Sequence, residues 1–182
     1  MMRFMAAMMA AGMLAGCSDT PRVVASQPSA AYSINEASYA ASGRDFRVTI
    51  AGNPFGGDGE AFARRVTAAM QRRIPGVVTN FTTTPGDSAR PGYRVALAFN
   101  PPINLTDSEL CGSQPVPAAA PSPTGPMIVM GAFCRGGPLT YATGWLDAPK
   151  GADDPAFDAL VGHLTTALFP THREKGCLFP DC

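Results

Sequence analysis

The sequence has no excess of charge of either sign and no run of basic residues. Fourteen Lys and Arg residues balance fourteen Asp and Glu residues, so the formal net charge is +0 at pH 7. A protein that binds nucleic acid needs a basic surface to neutralise phosphates, and that surface usually shows as clustered Lys and Arg. We therefore expect no nucleic-acid partner for this chain.

Histidine is scarce, and the common catalytic motifs are missing. The chain has two histidines, His163 and His172, both near its C-terminal end. It contains no Gly-x-Ser-x-Gly, His-Glu-x-x-His or Ser-x-x-Lys sequence, the patterns that mark several classes of hydrolase. Few side chains are left for general-base work near neutral pH, so the sequence favours a protein without catalytic activity and without a cofactor.

The apolar stretch at the start of the chain is too short to span a membrane. It covers residues 4–16, thirteen residues without a charge, whereas a spanning helix needs about 20. It follows Met1-Met2-Arg3 and ends in Leu14-Ala15-Gly16-Cys17. A positive start, a short apolar stretch and small residues before the cleavage site are typical of a secretory signal peptide.

The ending Leu14-Ala15-Gly16-Cys17 resembles the lipobox of bacterial lipoproteins. The resemblance implies cleavage before Cys17, a diacylglycerol on its sulfur and an acyl chain on the new amino terminus. It also implies a protein attached to the membrane of the cell envelope by lipid. By similarity to lipoprotein sorting rules, Ser18 indicates the outer membrane, with the domain facing the periplasm.

The cysteines that follow the lipobox predict disulfide bonds. They are four in number, an even count that in an exported protein is typical of two disulfides: Cys111, Cys134, Cys177 and Cys182. Three connectivities are open, and we favour Cys111–Cys134 with Cys177–Cys182, since Pro180 helps to turn the chain between the second pair. The alternative is a metal site made from these cysteines with His163 and His172.

Nineteen glycines and eighteen prolines predict short elements joined by long loops. After the signal peptide (1–16), the Ala-, Ser- and Pro-rich residues 17–43 predict a lipid-anchored flexible tether. A single domain follows at 44–182, with a Pro-rich loop at 100–126 and a disulfide-bonded C-terminal tail. The loop is interpreted as a surface insertion, or as a docking segment for a partner.

Apolar periodicity predicts the elements of this domain. Alternation indicates strands at 44–51 and 93–99. Residues 127–134 are apolar on both faces, as in a central strand, and a turn leads from them into a strand at 139–146; a weaker strand is expected at 81–84. Helices are expected from Asp58 to about Arg73 and from Pro155 to the residues before Pro170. The order β-α-β-β-β-α predicts an α/β (α+β) two-layer sandwich, with a mixed sheet of about four strands and two helices on one face. Several outer-membrane assembly lipoproteins resemble this arrangement at the level of the fold.

Two polar segments are weak candidates for ligand sites. The glycine-rich residues 52–59 lie between a strand and a helix, as phosphate loops do, but they lack the motif of a nucleotide site and carry Asp58 and Glu60. We expect a tight turn with a capped helix there. Asp147, Asp153 and Asp154 are a loose candidate for calcium, although helix capping accounts for two of the three.

These observations lead to one hypothesis of function and one alternative. The hypothesis is a non-catalytic envelope lipoprotein, a small periplasm-facing binding or assembly module with an envelope protein as its partner. The alternative is a periplasmic hydrolase whose active site uses a carboxylate or histidine without a recognisable motif.

Overall fold

The structure is a computed structural model that describes residues 20–117, 121 and 126–171. In this part of the chain there are six strands: β1 (Arg22–Ala25), β2 (Asp45–Ala51), β3 (Asn80–Thr82), β4 (Tyr93–Phe99), β5 (Met127–Arg135) and β6 (Gly137–Leu146). There are four helices: α1 (Ile34–Ala41), α2 (Gly59–Met70), α3 (Asp107–Leu110) and α4 (Pro155–Leu168).

The strands form one mixed sheet in the order β1-β6-β5-β4-β2-β3. Strand β2 runs parallel to β4 on one side and to β3 on the other. The parallel crossover through α2 that the sequence predicts is therefore confirmed. Strands β4, β5, β6 and β1 are antiparallel in turn, and the predicted β5–β6 hairpin turns at Gly136, whose φ is +71°.

The α+β class is confirmed, but the sheet is larger than the four strands predicted, and the described chain has more than two helices. The predicted strand at 81–84 appears as β3, a three-residue edge strand. Strand β1 and helices α1 and α3 were not expected. Helix α3 lies inside the segment predicted as a Pro-rich loop, and its start is held by Thr106 and Glu109, which form a reciprocal capping box.

The described part of the predicted tether is folded onto the domain. Strand β1 pairs along its whole length with β6. Helix α1 buries Ala37, Ala40 and Ala41 completely. Tyr32 is buried against Phe133 at a ring-centroid distance of 6.3 Å. Alanines give little apolar signal in a sequence, yet their small size lets a helix approach a sheet closely, and this is why a segment that resembled a flexible tether packs.

The main core lies between the front face of the sheet and helices α2 and α4. All five apolar residues predicted to form the buried stripe of α4 are fully buried: Phe157, Leu160, Val161, Leu164 and Leu168. The helix approaches the sheet closely over two glycines. A Cβ on Gly144 would lie 2.7 Å from a methyl carbon of Leu160, and one on Gly131 would lie 3.1 Å from a methyl carbon of Leu164.

The back face of the sheet has a smaller core beneath α3. Small side chains of β4 and β5, including Ala96 and Ala132, pack here against Leu110. The segment that carries α3 is fixed to β5 by a disulfide between Cys111 and Cys134, whose Cα atoms are 5.5 Å apart.

The sheet has two ends, the entry end and the far end, at which different strands begin and finish. At the entry end, β1 and β5 begin and β2, β4 and β6 finish. At the far end, β1 and β5 finish and β2, β4 and β6 begin. Helices α2 and α4 each follow a strand that finishes at the entry end, so both helices start there and run toward the far end.

Candidate functional site

The structure tests the predicted disulfides in part. Cys111 and Cys134 are bonded to each other, which confirms the favoured pairing for these two residues. Cys17, Cys177, Cys182 and His172 lie outside the described residues. The lipid site and the second disulfide therefore stay predictions, and a metal site that uses Cys111 or Cys134 is wrong because their sulfurs are joined.

The three aspartates considered for calcium have separate roles. Asp147 accepts a hydrogen bond from Arg22 at 2.8 Å. Asp154 caps α4 by accepting from the backbone N–H of Ala156 at 2.9 Å, while Asp153 lies 3.6 Å from Arg65. In the residues that the structure describes, no group of three or more His, Cys, Asp or Glu side chains is placed to hold a metal ion.

The glycine-rich loop before α2 forms the tight turn that was expected. The Asn53 side chain donates to the carbonyl of Gly56 at 2.7 Å and accepts from the N–H of Phe55 at 3.1 Å. Asp58 accepts from the N–H of Glu60 at 2.8 Å. The start of α2 is thus already occupied by a carboxylate of the chain itself, an arrangement that disfavours a phosphate there.

His163 is exposed on α4, as its helical phase predicts. None of the helices in the described ranges combines the length and the apolar character needed to cross a membrane.

Among the described residues, the far end has one tight cluster of ionisable side chains, which consists of Glu36, Tyr93 and Arg135. Glu36 accepts hydrogen bonds from the Tyr93 hydroxyl and from Arg135. The Tyr93 hydrogen bond, and secondly Arg135, hold the pKa of Glu36 below its ordinary value. Burial, and then Glu36, raise the pKa of Tyr93. Both pKa values thus move away from neutral pH. The cluster is therefore better suited to holding α1 against the sheet than to acid–base catalysis.

The cavity on the back face has little reactive chemistry. It has a volume of about 330 Å³ and lies between β2, β4 and the segment after α3. Its one charged side chain, Arg94, donates to the carbonyls of Cys111 and Gly112. Arg94 therefore holds the segment against the sheet, and the cavity walls among the described residues offer hydroxyls such as that of Thr49 but no carboxylate or imidazole.

Arginines gather at the far end because the elements that carry them begin or finish there. Arg44 precedes β2, Arg72 follows α2, and Arg135 closes β5. Loop and strand positions add four more, so that the arginines of this end are Arg44, Arg47, Arg72, Arg73, Arg90, Arg94 and Arg135. The carboxylates of the same end are Glu36, Asp45 and Asp87.

The two ends differ in how their arginines are neutralised. At the entry end Arg22 pairs with Asp147 at 2.8 Å, and Arg65 pairs with Asp158 at 2.7 Å. Arg64 is also within ion-pair distance of carboxylates there. At the far end Arg135 pairs with Glu36, whereas the other six arginines have no ion pair within the described residues.

Several of these six arginines bond to backbone carbonyls, which are neutral acceptors, and so remain without an ion pair among the described residues. Arg44 donates to Ser88 at 3.3 Å, and Arg90 donates to Tyr39 at 2.8 Å. The side chains of Arg47 and Arg72 are exposed and make no hydrogen bond within the described residues. Arg72 also has a φ of 59°, a left-handed conformation in which helices usually end with glycine.

The far end also exposes apolar surface beside the arginines. The Val78 side chain is 83% exposed and that of Tyr39 is 55% exposed. The Arg90 guanidinium stacks on the Tyr39 ring at 3.6 Å from its centroid. A depression of about 410 Å³, lined by Arg44 and Val78 among others, lies between the start of β2 and the turn before β3. Arginine and tyrosine are among the residues that are enriched in protein interfaces.

This surface was missed by sequence reasoning, which looked for runs of basic residues. The signal was present in another form. Arg44, Arg72 and Arg135 stand at the edges of the predicted elements, and a parallel crossover followed by a hairpin brings those edges to one end of the sheet.

Comparisons of the chain with protein-family profiles, with curated proteins and with solved structures found no match.

Proposed function

We propose that this protein is an envelope lipoprotein held by lipid on Cys17, and that its folded domain is a non-catalytic module that binds an acidic protein partner at the far end. The anchor rests on the sequence Leu14-Ala15-Gly16-Cys17. The binding face rests on one observation: six of the seven arginines at the far end have no carboxylate partner among the described residues, whereas Arg22, Arg64 and Arg65 at the entry end are all paired.

Charge complementarity is the physical basis of the proposal. Exposed arginines speed association with an acidic surface and select against basic partners. Their effect extends over about 8 Å at physiological ionic strength, so arginines on neighbouring strands, which are about 4.8 Å apart, reinforce one another. Val78 and Tyr39 supply apolar contact in the same surface, which favours a protein partner over a small anion. No arrangement of the described residues favours the alternative of a hydrolase.

The test is site-specific crosslinking in intact cells. A photoreactive amino acid at position 78 should form an adduct with a partner, because Val78 stands in the proposed interface. Reversing two charges beside it, Arg44→Glu with Arg72→Glu, should abolish that adduct. The matched control Lys150→Glu reverses an exposed charge at the entry end and should leave the adduct intact.

Two results would contradict this proposal. One is an adduct from position 78 that survives the double charge reversal. The other is the same protein adduct from position 103, where Ile103 is an equally apolar and fully exposed residue at the entry end. The anchor is tested by a separate experiment. Mass spectrometry of membrane-extracted protein should find acyl chains on a new N-terminal Cys17.

A further inference from the structure

The distance between the lipid site and the folded domain is short. Strand β1 begins at Arg22, five residues after Cys17. A fully extended chain of that length spans about 18 Å. The sequence alone predicted a tether of 17–43, which as a flexible chain would place the domain on the order of 30 Å from the bilayer. Since β1 and α1 belong to the domain, the entry end is held close to the lipid.

Apolar side chains lie at the same place. Arg22 of β1 is opposite Trp145 of β6, and Trp145 is opposite Ile128 of β5. Strands are about 4.8 Å apart, so the three Cα atoms form a row about 10 Å long on the back face. The Ile128 side chain is 39% exposed, and Trp145 is half-buried.

Two further residues extend this apolar surface. Asn100 follows β4, and its N–H donates to the carbonyl of Ile128 at 2.7 Å. Ile103, three residues further on, is fully exposed in the loop at the entry end. Val24 lies two residues after Arg22 in β1 and on the same face, and it is 62% exposed. The entry corner is defined as three side chains of the back face, Val24, Ile128 and Trp145, together with Ile103 in the loop that follows β4 at the entry end.

We infer that the entry corner rests on the lipid bilayer to which Cys17 attaches the protein. This inference rests on the proposed lipid anchor. At most about 18 Å of chain joins Arg22 to the lipid on Cys17, and the entry corner holds the large apolar side chains that are exposed at the same end of the sheet among the described residues. Tryptophan and aliphatic side chains suit the interface of a bilayer, where apolar and polar groups meet.

Charge does not bring this corner to an anionic membrane. Arg22 is already paired with Asp147, and Asp153 and Asp154 lie in the adjoining loop. The lipid on Cys17 supplies the attachment, and the few exposed side chains set the orientation once the domain is there. Free protein without the lipid is therefore expected to leave vesicles unbound.

Trp145 allows a direct test because it is the single tryptophan of the chain. Lipidated protein is reconstituted into phosphatidylcholine vesicles, a zwitterionic composition that removes the charge effects. Its tryptophan emission should shift to shorter wavelength, and lipids brominated on the acyl chain near the headgroup should quench it. Cys17→Ser protein mixed with the same vesicles should show neither effect.

Matched variants separate contact from mere proximity. Ile103→Asp and Ile128→Asp should reduce the quenching of Trp145 in lipidated protein, because each places a charge in the entry corner. Val78→Asp makes the same change at the far end and should leave the quenching unchanged.

The outcomes distinguish failure of this inference from failure of the anchor. Lipid on Cys17 by mass spectrometry, with Trp145 quenched no more than in Cys17→Ser protein, would overturn the orientation and leave the lipoprotein intact. Absence of lipid on Cys17 would overturn both. A shift in emission that needs no vesicles and grows with protein concentration would assign the corner to a second copy of the chain and overturn contact with lipid.

Discussion

Glu36 is a residue whose charge holds two parts of the chain together. Its carboxylate joins α1 to Tyr93 of β4 and Arg135 of β5. The hydrogen bond from Tyr93, followed by the contact with Arg135, lowers its pKa in the folded protein. A carboxyl group with a lowered pKa stabilises the fold above its unfolded pKa of about 4.3 and loses that contribution as the pH falls through the folded value.

The substitution Glu36→Gln tests this linkage. At pH 7 the variant should have a lower free energy of unfolding than the wild type, measured by urea denaturation. The difference should shrink as the pH falls below about 4.3, because Glu36 of the unfolded wild type takes up a proton there, and it should vanish once the folded carboxylate is protonated at lower pH. Glu60→Gln is the control, since the Glu60 side chain is 90% exposed and is 3.7 Å from Arg64, and its effect should be small at every pH. A Glu36→Gln deficit that does not depend on pH would contradict the account.

Adjacent residues of α4 have opposite environments. Leu164 is fully buried over Gly131 of β5, and His163 is exposed. Leu164→Ala removes a buried side chain and leaves a cavity, so it should cost about 2–5 kcal/mol. His163→Ala should change the stability by no more than about 0.5 kcal/mol. Thermal melts of both variants check the pair, and a costly His163→Ala beside a tolerated Leu164→Ala would mean that the helical phase is wrong.

At the scale of elements, the segment from Asn100 to α3 is held on the back face mainly by one covalent bond. Cys111 and Cys134 are 23 residues apart in sequence. A disulfide that closes a loop of this size stabilises a fold by about 3 kcal/mol in the chain-entropy account. Arg94 and Leu110 add polar and apolar contacts to the same segment.

The double variant Cys111→Ala with Cys134→Ala should lower the free energy of unfolding by about 3 kcal/mol. Treatment with a thiol reductant should lower the stability of the wild type by about 3 kcal/mol more than that of the double variant, which keeps only the predicted Cys177–Cys182 disulfide. Equal stability of the reduced and oxidised wild type would show that the noncovalent contacts are sufficient to hold the segment.

The elements with strong periodic signals could be predicted from the sequence, and those with weak signals could not. In β4, Val95, Leu97 and Phe99 alternate with small residues, and α2 begins at the expected cap Asp58. By contrast, β1 presents a single inward side chain, Val23, to the core. Helix α3 is four residues long, too short for a helical period to appear.

At the scale of the whole molecule, a net charge of zero concealed a separation of charge. The formal charge is +0, and from it we expected no electrostatic attraction to a polyanion. The total does not record position, however, and Arg44, Arg72 and Arg135 come together only through the order of the strands. A count of residues therefore cannot reveal such a surface, whereas a topology with the ends of its elements marked can.

The position of β1 has a mechanical consequence. Strand β1 joins the proposed lipid site at Cys17 to the sheet, and it pairs with β6 from Arg22 opposite Trp145 to Ala25 opposite Ala142. In the proposed lipoprotein, a pull from the membrane on Cys17, resisted by the proposed partner at the far end, would act along the axis of this strand. The load then falls on all the β1–β6 hydrogen bonds at once, in shear, and does not open them one at a time from an end. The edge strand nearest the proposed anchor is thus oriented in the direction in which a strand resists tension best.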